Sequence, residues 1–271
     1  MIATLACFAF SGAINAFSVK EFIGITAIFF WLLHPPRNDL SLSLSFINVI
    51  FLSTFKSMKY KHIIWDWNGT LLNDTALCVE MLNNSLEKRN LKPISVNEYR
   101  RKFLFPIKTF YESVGFDFAH EPFEITNEEF HSGFEKNFKK LALQPDALSS
   151  IKKLNEKKVT QSILSATVQR KLVDQVKYFG LDAFLNNIVG ISNTPSGFGK
   201  EYEGKELLLN VLIPKEKTII VGDSMLDFSV SQSLGIDCAL IYNGHNNMER
   251  LTATGSETFP NIKSFYTWLT N

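Results

Sequence analysis

From Lys59 onward, short continuous apolar runs alternate with segments whose apolar residues recur at helical spacing. The runs are "KHIIWDW", "VTQSILSA", "NNIVGIS", "KTIIVGD" and "CALIYN". Rich in β-branched residues and with little polar alternation, they predict strands buried on both faces. Between them, Val168, Leu172, Val173, Val176 and Phe179 make a helical stripe closed by Gly180. Leu207, Leu208, Val211 and Leu212 make another before Pro214. Strands alternating with amphipathic helices predict an α/β architecture: a doubly wound parallel sheet with helices on both faces.

One interval breaks the alternation. Between the first run and "VTQSILSA" no segment has comparable strand character, and the interval is far longer than an ordinary strand-to-helix connection. Val79, Leu82 and Leu86 share a helical face, as do Phe130, Phe134, Phe138 and Leu141. Residues 74–158 are therefore expected to be a helical insert, and 58–73 with 159–271 the α/β core. An insert there lies over the carboxyl end of the first strand, where such sheets bind ligands, and is a candidate lid.

Residues 1–57 have a different pattern. "MIATLACFAFSGAINAFSV", "FIGITAIFFWLL" and "SLSLSFINVIFLSTF" are apolar, broken by Lys20, Glu21 and "HPPRND". Each falls short of the roughly 20 apolar residues of a membrane span, and no basic region precedes the first as in a secretory signal. Met58 followed by "KYKHIIWDW" reads as the start of a compact domain. The expectation is that residues 1–57 come from an upstream start choice and that the folded unit is cytoplasmic. A membrane anchor through residues 1–57 is the alternative.

Charge narrows the partners. Lys and Arg number 28 against 27 Asp and Glu, so no global basic excess points to nucleic acid. With 45% hydrophobic and 20% charged residues the chain is globular in composition. Cys7, Cys78 and Cys238 are odd in number and lack a CxxC or Cys/His spacing, which predicts reduced, unpaired thiols.

The chemistry-bearing residues fall at strand ends. Asp66 closes the first run, with Asn68, Gly69 and Thr70 leading to a helix at Asp74. Asp223 closes "IIVGD", and Asp227 follows one helical turn later. Taken singly, each Asp is a turn or cap residue. Two strand-end clusters together suit a hard divalent cation, most plausibly Mg²⁺. Ser165 ends "VTQSILS", and Ala166 with Thr167 is expected to open a helix whose free N–H groups suit a phosphate. Lys200, in "SGFGKEYEGK", is placed to offset phosphate charge, with a solvated surface lysine as the ordinary alternative.

The ordered set "DWNGT", "LSAT", Lys200 and "GDSMLD" resembles the four motifs of the haloacid dehalogenase-like hydrolases, in particular the phosphoglycolate phosphatase-like group with a helical cap. The resemblance covers Met58 to the C-terminus. It implies a Rossmann-like core and a Mg²⁺-dependent phosphatase acting on a small phosphorylated metabolite. Asp66 would be the nucleophile that becomes an aspartyl phosphate. Ser165, Ala166 and Lys200 would bind the phosphoryl group, and Asp66, the Asn68 backbone carbonyl, Asp223 and Asp227 would hold Mg²⁺. Lys205 is the rival to Lys200, disfavoured because it falls inside the next helix.

The sequence departs from the family at Asn68, where most of its phosphatases carry a second Asp as general acid and base. An amide cannot transfer a proton at neutral pH. Either leaving groups that need no proton are preferred, such as acyl phosphates, phosphoanhydrides or a phosphonate-type carbanion, or an insert residue replaces the acid. His120, Glu121, Glu124 and His131 are the candidates, each with an ordinary surface role as the alternative. Arg100, Arg101, Lys102 and Lys108 are candidates for an anionic substrate tail, and His245 in "NGHNN" is read as a loop residue. The alternative function is a catalytically weak phosphate-binding or regulatory protein on the same fold. A dehalogenase or phosphonate hydrolase is a third reading.

Overall fold

Each of the five apolar runs forms a strand in the computed structural model, which describes residues 58–192 and 200–271. They are β1 (His62–Trp65), β4 (Thr160–Val168), β5 (Asn187–Ile191), β6 (Thr218–Gly222) and β7 (Asp237–Ile241). With the short edge strand β8 (Glu257–Phe259) they make a parallel sheet in the order β5-β4-β1-β6-β7-β8. The chain winds outward from β1 to β4 and β5, then crosses to β6 on the other side of β1. That reversal makes the carboxyl end of β1 the topological switch point, where a crevice opens between oppositely directed connections.

Burial on both faces explains why these strands read as continuous apolar runs. Ile64, Leu164, Ile220 and Leu240 point to one face, where they pack with Leu207 of α7 (Glu201–Asn210) and with Val230 and Leu234 of α8 (Met225–Leu234). On the opposite side, the Trp65 ring meets Phe265 of α10 (Ile262–Thr270) edge-on, with centroids 5.6 Å apart. Removing that much apolar surface from water is the main stabilising term of such a sheet.

The interval after β1 is helical, as its pattern predicts. It leaves through β2 (Leu72–Asn73), runs through α1 (Thr75–Lys88), α2 (Val96–Lys102), α3 (Ile107–Ser113) and α4 (Phe123–Asn137), and returns through β3 (Ala142–Leu143). β2 and β3 pair antiparallel, with Asn73 opposite Ala142. Val79, Leu82 and Leu86 are buried on α1, which packs on α4. The Phe stripe forms a ladder: Phe130 to Phe134 at 6.1 Å, Phe134 to Phe138 at 6.4 Å, and Phe138 to Phe179 at 5.7 Å.

The next helix, α5 (Ala147–Glu156), falls in the stretch grouped with the insert by its lack of strand character, yet it packs on β4 and α10. Ala147, Ile151 and Leu154 are fully buried there. Two further details differ from the periodicity. Ala166, Thr167 and Val168 extend β4, and the helix α6 (Gln169–Tyr178) starts at Gln169. Leu212 lies beyond the end of α7 and is 95% exposed. The last helix to be named, α9 (Met248–Thr252), follows β7. Among the described residues no helix is long and apolar enough to cross a membrane. The readings of an upstream start or an anchor fall on residues outside those described.

Candidate active site

Strand register brings the predicted residues to one edge. Trp65 pairs with Ile163 of β4 and with Val221 of β6. Asp66 is one residue past that row, and Ser165 and Asp223 are two residues past it on the flanking strands. The Asp66 N–H donates to the Val221 carbonyl at 2.8 Å, so the main chain stays in the sheet to the point where the carboxylate emerges. β1 is central and flanked on both sides, which makes the position of Asp66 as rigid as the sheet allows.

Lys200 immediately precedes α7, and its side chain is fully buried. An ammonium has three N–H donors. Here one goes to Asp66 Oδ1, one to Asp227 Oδ1 at 2.7 Å and one to the Leu164 carbonyl at 2.9 Å. Burial works against its charge, but Asp227 and Asp66 outweigh that cost and hold its pKa above the ordinary lysine value. Lys205, by contrast, is exposed on α7. The buried, fully paired ammonium is thus the one that the motif spacing favours.

Asp227 is the most fully engaged carboxylate. Its Oδ2 accepts the N–H groups of Asp223 at 3.2 Å and Ser224 at 3.0 Å, and the Ser224 hydroxyl at 2.7 Å. This capping box fixes the start of α8. Asp223 Oδ1 accepts the Thr70 hydroxyl at 2.8 Å, Thr70 also stands 3.3 Å from Asp66 Oδ2, and Asp223 Oδ2 accepts the His245 N–H. Glycines make room for these carboxylates. A Cβ on Gly69, whose φ is +78°, would sit 2.3 Å from Asp223 Oδ2, and one on Gly222 would sit 2.0 Å from the Asp227 carboxyl carbon.

The site's carboxylates are packed close enough to repel one another. Asp66, Asp223 and Asp227 offer oxygens all within 4.8 Å of one another. Burial pushes Asp66 above the usual carboxylate range, with Lys200 opposing and Asp227 and Asp223 adding to the rise. Burial likewise pushes Asp223 up to about 6, against the pull of His245. A divalent cation among the three carboxylates would offset the mutual repulsion that, with burial, raises Asp66 and Asp223. An all-oxygen donor set of this size fits Mg²⁺ better than a softer ion.

The other residues expected to bind phosphate line the same edge. Ser165 is buried, and its Oγ accepts the Thr167 N–H at 3.1 Å. The Thr167 hydroxyl donates to Asn68 Oδ1 at 2.7 Å, and Asn68 Nδ2 donates to Asp74 Oδ2 at 2.7 Å. Both ends of the Asn68 amide are therefore occupied.

Asp74 anchors a second cluster that the sequence did not signal. It occupies the N-cap position of α1, but its carboxylate turns back to accept Gly69 N–H at 2.8 Å and lies 3.3 Å from His245 Nε2. The Cys78 thiol, one turn along α1, points at Asp74 Oδ2 at 3.7 Å. Burial opposes charge on His245, but Asp74, Asp223 and Asp66 outweigh it and raise the imidazole to about 9. His245 Nδ1 lies 3.0 Å from the Tyr99 hydroxyl of α2. Arg100 beside it donates to the carbonyls of Gly244 at 2.8 Å and Asn243 at 2.6 Å. His245 is thus a hub between the Asn68–Gly69 loop, the Asp223 loop and the insert. The other insert residues singled out go elsewhere: Lys102 pairs with Glu98, Lys108 lies over Phe118, Glu121 pairs with Arg89, and His120 pairs with Asp117. Arg101, Glu124 and His131 lie on the exposed surface.

Comparison with known proteins agrees with this geometry. The family model described as haloacid dehalogenase-like hydrolase matches residues 63–241. A curated protein named "Putative pyrophosphatase PpaX", from Caldanaerobacter subterraneus subsp. tengcongensis, is 21% identical over 186 residues, covering 66% of this chain and 80% of its own. A haloacid dehalogenase-like family hydrolase from Streptococcus pneumoniae has the same fold, with TM-score 0.65 and 15% identity over 78% of this chain and 97% of that one. So does a protein from Haemophilus somnus 129pt described as a predicted phosphoglycolate phosphatase, with TM-score 0.64 and 16% identity over 78% of this chain and 98% of that one. On its sequence match, its doubly wound sheet and the carboxylates and lysine at the switch point, the chain belongs to the haloacid dehalogenase-like hydrolases.

Proposed function

We propose that the protein is a Mg²⁺-dependent phosphohydrolase that acts on a small phosphorylated metabolite through an aspartyl phosphate on Asp66. The carrying observation is the buried Asp66–Lys200–Asp227 array beside Asp223 at the switch point. The Asp66 carboxylate attacks phosphorus, the bond from phosphorus to the leaving oxygen breaks, and an acyl phosphate forms. Water then attacks that phosphorus and restores Asp66. Lys200 lies against the nucleophile, where it binds the transferring phosphoryl group and offsets its charge. The Ser165 hydroxyl and the main chain at Ala166 receive the phosphoryl oxygens. Asp66, the Asn68 carbonyl, Asp223 and Asp227 would hold the ion, and Asp227 also fixes Lys200 and the Asp223 loop. When bound, Mg²⁺ offsets the repulsion between the anionic carboxylate and the anionic phosphate.

The leaving group follows from Asn68. Its amide is tied to Thr167 and Asp74 and transfers no proton. Leaving groups that are already weak bases, as in phosphoanhydrides and acyl phosphates, need no such transfer and are the favoured class. The pyrophosphatase name of the curated relative agrees with that class, and the phosphoglycolate phosphatase name of the structural neighbour marks the alkyl-ester alternative.

The test is phosphate release in Mg²⁺ from pyrophosphate, acetyl phosphate and phosphoglycolate, with Asp66→Asn as the blank. Release is expected from the first two above the third, and none from the blank. Equal release by Asp66→Asn would remove Asp66 from the mechanism.

A further inference from the structure

We propose that Asp74, Cys78 and His245 form a second metal site, beneath the Asn68–Gly69 loop, that takes Zn²⁺. The three ligand atoms are buried and lie within 4.8 Å of one another. Their spacing suits a tetrahedral ion. With Zn–S of about 2.3 Å and Zn–N and Zn–O of about 2.0 Å, tetrahedral angles set N and O about 3.3 Å apart and S and O about 3.5 Å apart. Here His245 Nε2 stands 3.3 Å from Asp74 Oδ1 and Cys78 Sγ stands 3.7 Å from Asp74 Oδ2, so the carboxylate faces the imidazole with one oxygen and the thiol with the other, and one of those oxygens would complete the set with a small side-chain rotation.

The donor set separates this site from the acidic one. Thiolate, imidazole and one carboxylate are the borderline-soft combination that selects Zn²⁺, whereas Asp66, Asp223 and Asp227 offer only hard oxygen. The helix α1 supplies two ligands because Asp74 and Cys78 are four residues apart and lie on one face. The surrounding partner is also in place. A ligating imidazole is usually oriented through its other ring nitrogen, and His245 Nδ1 already has the Tyr99 hydroxyl at 3.0 Å. A water takes the fourth position.

Occupancy would reach the nucleophile loop directly. The Asp74 oxygens that would bind the ion are those that now hold Asn68 Nδ2 and Gly69 N–H. Zn²⁺ would draw them from the loop that follows Asp66 and slow turnover, which would make the site inhibitory. The existence of the site does not depend on the hydrolase reading.

The test uses the full chain with excess Mg²⁺ to fill the acidic cluster, and Co²⁺ as an optical probe. One Co²⁺ per chain with a thiolate-to-cobalt charge-transfer band, displaced by Zn²⁺, is expected. Cys78→Ser should abolish the band, Cys238→Ser should leave it unchanged, and His245→Asn should weaken binding by at least about tenfold. Circular dichroism checks that each variant is folded. Absence of the band from wild type, its survival in Cys78→Ser, or wild-type affinity in His245→Asn would overturn the site.

Discussion

Asn68 donates its side-chain amide to Asp74 Oδ2 at 2.7 Å while accepting the Thr167 hydroxyl at the same distance. The amide is therefore held in one orientation beside a buried carboxylate. An acid in its place would face Asp74, and the like charge would raise its pKa and keep it protonated, as a proton donor must be. Asn68→Asp is expected to raise turnover of an alkyl phosphate such as phosphoglycolate by at least about tenfold, with little change for acetyl phosphate. No rise would show that proton transfer to the leaving group does not limit the reaction.

Lys200 bridges two buried carboxylates, Asp66 and Asp227, with one ammonium. Lys200→Met leaves Asp66 and Asp227 without a counter-charge in the core. Loss of one partner of a buried ion pair costs about 3–5 kcal/mol, and loss of phosphoryl binding is expected to lower phosphate release by at least about a thousandfold. Urea unfolding and phosphate release, measured on the same preparation, check the two effects.

Arg100 ties α2 to the loop that carries His245, through the carbonyls of Asn243 and Gly244. Hydrogen bonds from a charged group contribute about 1.5–3 kcal/mol each. Arg100→Ala is expected to raise amide exchange in residues 243–246 and in α2, by local opening of these two segments. Exchange mapped by mass spectrometry reads this, and unchanged protection in both segments would contradict the coupling.

His62 sets an acid limit on stability. It is fully buried on β1, with Nε2 2.9 Å from the Ser162 hydroxyl and no partner for Nδ1. Burial lowers its pKa to about 4, against an unperturbed value near 6.5. The fold thus holds the neutral ring, while the unfolded chain takes up a proton below about pH 6.5. The stability from this group is complete above that pH and is lost as pH falls toward 4, by an order of about 3 kcal/mol. His62→Phe should flatten the unfolding midpoint over that window relative to wild type, and a parallel pH dependence in the two proteins would contradict the assignment.

Long-range arrangement was legible in the sequence where one physical signal dominated. Strands buried on both faces show as continuous apolar runs, so β1, β4, β5, β6 and β7 were visible. β2 and β3 are two residues each, too short for any period, and β8 is a three-residue edge strand. Helix α5 falls in the expected insert by its lack of strand character, which does not show which surface a helix covers. Ser165 and Asp223 were legible because they stand at strand ends that meet at a switch point, whereas Lys200 was singled out only through the spacing of the resembled motifs. His245 was not. A histidine among Gly and Asn carries no local pattern, and its role arises only when β7 brings its loop against Gly69 and α2.

The pairing of Asn73 with Ala142 gives the insert the topology of a hairpin loop. Its two ends leave and rejoin the chain one strand spacing apart, about 4.8 Å, so a two-residue turn would span the same gap. Everything from α1 to α4 can accordingly be lengthened, shortened or transplanted between relatives without shifting the register of a single strand in the parallel sheet. What such an exchange would carry away is Tyr99, Arg100 and Cys78, while Asp66, Lys200 and Asp223 would stay where they are.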